Sequence, residues 1–238
     1  MKKWLIFLLA AVVINGAANA ADLPSLEGLI EPSELVEFSS QIPGILEIVS
    51  VERGDLVKKG QIVAQLKSGV ESAAARVAEA RVDFGKRKAL RNEELYKKKL
   101  ISMHEKDQLE TEVRLAELEL EEAREQLALR TIFSTIDGVV VERSGAPGEY
   151  VGEEPFLTVA RIDPLNVEVV VPVEFFGRIR EGSKAKVILG APVQGQYKAR
   201  VVVVDQVIDA ASGTFGVRLQ LPNPQQKLPA GLKCQVEF

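Results

Sequence analysis

The chain has 238 residues, and its 30 Lys and Arg against 34 Asp and Glu give a net charge of −4. That length is enough for one large domain or for two to three small ones. A net-acidic chain with 5% aromatic residues offers no general electrostatic surface for nucleic acid. The single cysteine, Cys234, excludes an intramolecular disulfide and cysteine-based zinc or iron–sulfur sites, and the single histidine, His104, excludes His-rich metal sites. These absences argue against most classes of enzyme, and we expect no catalytic residue, no cofactor, no metal site and no nucleic-acid partner.

The first 20 residues have the pattern of a secretory signal peptide. Two lysines precede an apolar run over residues 4–14, and Ala18-Asn19-Ala20 supplies a small-x-small cleavage site. A helix of that apolar length rises about 16 Å, roughly half of a hydrocarbon core, so a cleaved leader is favoured over an uncleaved N-terminal anchor. Cleavage between Ala20 and Ala21 would release a soluble, exported protein, with no cysteine near the site for a lipid anchor.

The composition changes sharply in the middle of the chain. All 11 prolines lie at or before Pro43 or at or after Pro147, and Gly85 is the only glycine between Val70 and Arg130. This middle block is rich in Ala, Leu and charged residues, which is typical of long exposed helices. The flanking segments are Val/Ile runs interrupted by Gly, Pro and Asp, which indicates short strands and turns. The sequence therefore predicts a mainly β protein with an inserted helical block.

The helical block predicts two helices, each about 27 residues and 40 Å long, that pair as an antiparallel coiled coil. Both ends of the block return to the same β domain, so a turn is needed, and residues 100–103 are its best position. Ser102, with Glu105 three residues later, has the pattern of a capping box that starts the second helix. We expect the second helix to bury Leu109, Val113, Ala116, Leu120, Ala123 and Leu127, and the first helix to bury Val70, Ala73, Val77, Ala80 and Phe84, a row that continues to Arg87 and Arg91.

The segments on either side of this block resemble each other at a constant offset of 94 residues. Gly44, Gly54 and Val57 correspond to Gly138, Gly148 and Val151, and Asp55 corresponds to Glu149. Glycine supplies a positive φ at such turns. Two similar halves of this kind predict a small β-sandwich, and the alternative is a coincidence between two unrelated glycine-turned hairpins.

The C-terminal part predicts a second β unit. Five strands, together with an N-terminal strand within residues 29–38, would close a small six-stranded barrel. Cys234 alternates with Val236 and Phe238, which favours a buried core thiol over a reactive one. The predicted strands are 165–171, 184–189, 199–208, 215–221 and 232–238.

Several motifs carry a resemblance to a known family. Residues 54–66, with the run Gly54-Asp55-Leu56-Val57-Lys58-Lys59-Gly60-Gln61, resemble the first half of a biotinyl/lipoyl-type domain, and residues 129–140 resemble the second half. Splitting that domain with an α-helical hairpin is the hallmark of periplasmic adaptor subunits, also called membrane fusion proteins. Residues 209–218 and 228–232 resemble the β-barrel strand and the approach to the last strand of the same family.

The resemblance implies a domain division. It places a signal peptide at 1–20, an N-terminal arm and barrel strand at 21–38, the halves of a lipoyl-like domain at 39–68 and 131–163, the hairpin at 69–130, and the β-barrel at 164–238. Larger adaptors continue into a membrane-proximal domain built from both chain ends. We expect that domain to be absent, which leaves transporter contacts to the barrel and to residues 22–31.

The resemblance also implies a function in assembly. Such an adaptor is periplasmic and joins an inner-membrane efflux transporter to an outer-membrane duct, most like the adaptors of resistance-nodulation-division pumps, and self-associates as a hexameric ring. An adaptor of an ATP-driven exporter is the main alternative. A biotin or lipoate carrier would need a modified Lys67, whose surroundings lack the carrier motifs. A purely structural periplasmic coiled-coil protein is the third possibility.

The hairpin tip holds the candidate site. Adaptors of this family carry Arg-x₃-Leu-x₆-Ser there, implicated in docking to the outer-membrane duct, and Arg91, Leu95 and Ser102 have that spacing. Arg91 and Leu95 are four residues apart on one helix face, so arginine can donate hydrogen bonds to a partner while leucine fills an apolar groove. The alternative is a solvated Arg91, a Leu95 that ends the helix packing and a Ser102 that only caps a helix.

Overall fold

The computed structural model describes residues 24–238, so the predicted leader and its cleavage site at Ala20 and Ala21 lie outside the described residues. The described part contains two α-helices, α1 (Gly69–Lys97) and α2 (Met103–Ala128). The strands are β1 (Leu26–Phe38), β2 (Gly44–Val49), β3 (Leu56–Val57), β4 (Ile62–Leu66), β5 (Thr131–Phe133), β6 (Gly138–Arg143), β7 (Tyr150–Val151), β8 (Leu157–Pro172), β9 (Lys184–Leu189), β10 (Gly195–Val204), β11 (Thr214–Leu221) and β12 (Lys233–Glu237).

The N-terminal strand β1 and the five strands β8 to β12 form the predicted six-stranded barrel. β1, β12, β9, β10, β11 and β8 are hydrogen-bonded in that order, and antiparallel pairing of β1 with β8 closes the circle. Alternate residues of each strand fill the interior, among them Ile30, Val187 and Val217, which are fully buried. Cys234 lies in this core as predicted, and burial raises the pKa of its thiol to about 11.

The strands that flank the hairpin form a small β-sandwich. One sheet is β5-β4-β2-β7, and the other contains β3, β6 and one end each of β8 and β1. Between them lies a second core, separate from that of the barrel, that includes Leu46, Val63, Val140 and Val159. The predicted fold class, a mainly β protein with an inserted helical hairpin and a small barrel, is confirmed.

The internal repeat is visible in equivalent turns of the sandwich. Gly54 and Gly148, which are 94 residues apart, both have a φ of +96°. The Asp55 carboxylate accepts a hydrogen bond from the Glu52 backbone at 2.8 Å, and the Glu149 carboxylate accepts one from the Ala146 backbone at 2.9 Å. Each turn therefore has a glycine in the left-handed region and an acidic side chain that closes the loop, which confirms the repeat.

Two long strands join the sandwich to the barrel. The first part of β1 pairs with residues 165–169 of β8 in the barrel, and its last part, 34–38, pairs with residues 157–161 of β8 in the sandwich. The register shifts between Pro32 and Glu34, where the paired strands pass from one unit to the other. The two β units thus share strands, so no linker separates them at residues 163–164.

The two helices pair as an antiparallel hairpin, and the predicted buried row of α2 is confirmed. Leu109, Val113, Leu120, Ala123 and Leu127 are partly buried and Ala116 is buried. α1 and α2 have 29 and 26 residues, so the longer helix extends about 43 Å from the sandwich.

The predicted buried row of α1 is wrong. Val70, Val77 and Phe84 are 79%, 64% and 57% exposed, and the row that faces α2 is displaced by two residues. It contains Ala75, Ala78, Val82, Gly85, Ala89, Asn92 and Tyr96. Both rows have the same 3-4 spacing, but only the observed one is made mostly of small residues. A Cβ at Gly85 would lie 3.3 Å from the Val113 side chain, so small residues allow the close approach of the two helices.

Candidate docking surface at the hairpin tip

The turn at the tip is fixed by backbone hydrogen bonds at the end of α1. The Lys99 N–H donates to the Tyr96 carbonyl at 2.8 Å, and the Leu100 N–H donates to the Leu95 carbonyl at 2.9 Å. Lys99 has a φ of +58°. This is the Schellman arrangement with lysine where glycine is usual. The absence of a glycine is why the sequence did not reveal it.

Ser102 begins α2 as the predicted N-cap. Its hydroxyl accepts a hydrogen bond from the Glu105 N–H at 3.2 Å, and the Glu105 carboxylate accepts one from the Ser102 N–H at 2.7 Å. The hydroxyl also donates to that carboxylate at 2.9 Å. These bonds, the one from the backbone first, lower the pKa of Glu105. The capping box is confirmed, and the Ser102 hydroxyl already has its local partners.

The structure places Arg91 and Leu95 one turn apart on an outer face of α1, while Ser102 lies across the turn. Arg91 is exposed and forms no ion pair within residues 24–238, and Leu95 is partly accessible. The guanidinium is therefore free to contact a partner. Arg91 and Leu95 form one patch, and Ser102 orients the start of the second helix beside it.

Two further residues at the tip were not anticipated. Leu100 lies in the turn, where polar residues are the norm, and is 67% exposed; Met103 is the first residue of α2 and is 54% exposed. Together with Leu95 they give the tip an apolar surface, and Lys98 and Lys99 add positive charge beside it. The sequence does place these two large apolar residues in the predicted turn, but that pattern is equally consistent with side chains buried between the helices.

The base of the hairpin is fixed to the sandwich by Arg130. Its guanidinium donates to the Glu71 carboxylate at 2.7 Å and to the Pro43 carbonyl at 3.1 Å. Arg130 and Glu71 side chains are each only 18% exposed. Since Glu71 belongs to α1 and Pro43 precedes β2, one side chain connects the end of the hairpin to both the first helix and the sandwich.

Comparison with known proteins assigns this architecture. A family model for the CzcB-like barrel-sandwich hybrid domain matches residues 34–160, and one for the CusB-like β-barrel domain matches residues 165–238. The chain belongs to the membrane fusion protein family. In this membrane fusion protein the split sandwich is the lipoyl-like domain that the motifs predicted.

Individual relatives support the same assignment. This membrane fusion protein is 28% identical over 231 residues to the solvent efflux pump periplasmic linker SrpA of Pseudomonas putida. The alignment covers 89% of this chain and 59% of SrpA. It is 26% identical over 251 residues to the multidrug resistance protein MdtE of Escherichia coli K12, covering 91% of this chain and 63% of MdtE. The chain therefore spans less than two thirds of the length of either relative.

A solved structure shares the fold. A MacA–MexA chimeric protein, containing the Pseudomonas aeruginosa MexA α-hairpin domain, superposes with a TM-score of 0.77 at 20% identity, covering 90% of this membrane fusion protein and 80% of the chimera. Within residues 24–238 neither helix is both long and apolar enough to cross a bilayer. In the same part of the chain no group of three or more His, Cys, Asp and Glu side chains is arranged to hold a metal ion.

The cap role of Ser102 can be measured separately from docking. Ser102→Ala is expected to destabilise the first turn of α2 by about 1 kcal/mol, because the Glu105 N–H loses its acceptor. Ser102→Thr keeps the hydroxyl and is the matched control. Hydrogen exchange of the Glu105 and Lys106 amides should accelerate in the alanine variant and stay near the wild-type rate in the threonine variant. Equal exchange in both variants would contradict the cap role.

The capping box also predicts a pH dependence at the tip. Because the pKa of Glu105 is lowered in the folded protein, its carboxylate stabilises the turn above the ordinary pKa of glutamate, and this contribution is lost as the pH falls through the lowered value. The protection of the Glu105 and Lys106 amides in the wild type, corrected for the intrinsic pH dependence of exchange, should therefore fall in acid.

Proposed function

We propose that this chain is a periplasmic adaptor that joins an inner-membrane efflux transporter to an outer-membrane duct. The observation that carries the proposal is the position of an exposed apolar and basic tip at the end of a hairpin about 43 Å long. Leu95, Leu100 and Met103 supply the apolar part, and Arg91 supplies a cation that has no ion-pair partner in the part of the chain that the structure describes. An exposed apolar surface far from the protein core is typical of an interaction site.

The tip is suited to the end of a helical partner. The Schellman hydrogen bonds fix one side of the turn and the capping box fixes the other. Binding a partner therefore costs little conformational entropy at the tip. Arg91 can donate several hydrogen bonds to carbonyl or carboxylate groups, while Leu95 occupies an apolar groove between partner helices. Ser102 contributes by holding the first turn of α2 in place. The docking residues in this proposal are Arg91, Leu95 and Ser102.

The remaining units have separate parts in the proposed assembly. The lipoyl-like domains of several copies, six by analogy with the family, lie side by side in a ring, and the barrel faces the transporter. The resistance-nodulation-division class is favoured by the resemblance of the tip motif and by the match to the CusB-like β-barrel model. Two relatives are named as a solvent efflux pump periplasmic linker and a multidrug resistance protein, which supports a role in export. The leader would be cleaved between Ala20 and Ala21 and release the chain into the periplasm. The adaptor assembles and seals a conduit and performs no chemistry.

The test is photo-crosslinking in the native host from a photo-reactive unnatural residue that replaces Leu95, with mass spectrometry of the products. We expect a crosslink to an outer-membrane duct protein, weakened at least several-fold by Arg91→Asp. The same photo-reactive residue at Leu90, which is 64% exposed on another face of α1, is the matched control. Products limited to the protein itself, in cells that express duct and transporter, would overturn the docking assignment.

A further inference from the structure

A second apolar row runs along the outside of α1. Val70, Val77 and Phe84 repeat every seven residues, and Ala73 and Ala80 lie between them. At 100° per residue the row lies about 130° around the helix from the residues that face α2. It has the spacing of a coiled-coil contact, yet within residues 24–238 nothing covers its three large side chains. We call these five residues the outer row.

The cations beside the outer row have no ion-pair partner among the described residues. Arg81, Lys86 and Lys88 of α1 form ion pairs with Glu119, Glu117 and Glu112 of α2. Arg76 and Arg87, which flank the outer row, form no ion pair in the described part of the chain. The cations near α2 are therefore neutralised by the hairpin itself, and those near the outer row are left for an acidic partner.

The outer face of α2 has the complementary composition. Leu115 and Leu118 are 56% and 53% exposed there. Glu121, Glu122 and Glu125 lie on the same side, and none of the three forms an ion pair within residues 24–238, although Glu122 accepts a hydrogen bond from the Gln126 amide at 3.4 Å. Toward the base of the hairpin, the exposed apolar residues have acidic neighbours on α2 and basic Arg76 on α1, so the two faces match there in chemistry. Nearer the tip, Arg114 adds a cation to the same face of α2, so the acidic charge is confined to the half near the base.

The two faces also match in height along the hairpin. The internal ion pairs Arg81–Glu119 and Arg124–Glu79 fix which residues of α1 and α2 lie at the same level. By this register Leu115 and Leu118 lie level with Phe84, and Glu125 lies level with Arg76. If a second copy lies beside the first without a shift along the hairpin axis, Phe84 of one copy is level with Leu115 and Leu118 of the other, and Arg76 is level with Glu125.

We propose that the outer row of one copy packs against Leu115 and Leu118 of a second copy, with Arg76 facing Glu121 and Glu125 of that copy. The contact joins two different faces, so it is heterologous, and it closes into a ring when there is no displacement along the axis. This proposal rests on the side-by-side assembly in the proposed function, and it is independent of docking at the tip.

Cysteine crosslinking in the native host tests the contact. In a Cys234→Ala background, Phe84→Cys combined with Leu118→Cys should give a ladder of oxidised multimers that ends in one discrete band. The two positions point away from each other within one hairpin, and helix axes 8–10 Å apart hold their Cα atoms beyond disulfide range, so an internal bond is excluded. Phe84→Cys alone should give no multimer, because the outer row meets a different face.

Two controls make the result specific. Leu90→Cys with Leu118→Cys places an equally exposed residue of α1 outside the outer row, and it should give no ladder. Arg76→Glu should reduce the yield of the Phe84–Leu118 ladder at least several-fold, and addition of Glu125→Arg should restore it.

Three outcomes would overturn the proposal. A dimer from Phe84→Cys alone would indicate a two-fold contact between outer rows, and an adduct with another protein would assign the outer row to that protein. A missing ladder in cells where Leu95 still crosslinks to the duct would reject this contact and leave the adaptor function standing. A missing duct crosslink with the ladder present would reject the docking assignment alone.

Discussion

Gly138→Ala is expected to destabilise the protein by about 3 kcal/mol, because the new methyl group has no space in the sandwich. An added Cβ would overlap the carbonyl oxygen of Ala160 and lie 2.9 Å from a methyl carbon of Val159. Both neighbours belong to β8, which is paired with β1 on one side and β6 on the other at this point, so its backbone cannot withdraw. Urea denaturation monitored by circular dichroism measures the decrease in the free energy of unfolding.

The internal repeat supplies the matched control for this prediction. Gly44 is the equivalent of Gly138, but a Cβ there would meet the end of the Arg130 guanidinium at 2.6 Å and the Leu66 side chain at 3.4 Å. The end of a side chain can shift where a strand backbone cannot, so Gly44→Ala should cost less than Gly138→Ala, and at most about 2 kcal/mol, the value expected for loss of the Arg130 contacts. Equal losses of stability in the two variants would contradict the argument from backbone overlap.

Much of the fold was predictable because its signals are local. The turn chemistry around Gly54 and Gly148, the alternation of the barrel strands and the Ser102 capping box each depend on residues close in sequence. The sharing of β1 and β8 between the two units was not predictable, because it depends on the length of two strands that pair across the whole chain.

The buried row of α1 shows where a periodic pattern stops being informative. Two rows of α1 have the same spacing, and the sequence pattern favoured the row with the larger apolar residues. The structure buries the row with Ala75, Ala78 and Gly85, because close helix packing needs small side chains and because the other row continues into Arg87 and Arg91, whose burial would be costly. The spacing of Arg91, Leu95 and Ser102 predicts docking residues, and that role stays a prediction. The exposure of Leu100 and Met103, in contrast, needed the structure.

Arg130→Ala is expected to cost about 2 kcal/mol, because it leaves the largely buried Glu71 carboxylate and the Pro43 carbonyl without their donor. The loss should be concentrated at the base of the hairpin. Hydrogen exchange should accelerate for the first turn of α1 and the last turn of α2, while the amides of the barrel strands keep their wild-type rates. Arg124→Ala is the matched control, since its ion pair with Glu79 on the same hairpin is exposed and is expected to contribute less than about 0.5 kcal/mol.

The effect of Arg130→Ala should also depend on pH in a defined direction. The pKa of Glu71 is lowered, first by a hydrogen bond from its own backbone N–H and then by Arg130, so the carboxylate stabilises the fold above the ordinary glutamate pKa. That contribution is lost as the pH falls through the lowered value, and the stability difference between wild type and Arg130→Ala should therefore shrink in acid. A difference that stays constant through acid pH would show that Arg130 acts through its bond to Pro43 alone. If the tip docks as proposed, Arg130→Ala should also lower the yield of the crosslink from Leu95 to the duct, because the orientation of the hairpin is less fixed although Arg91 is intact.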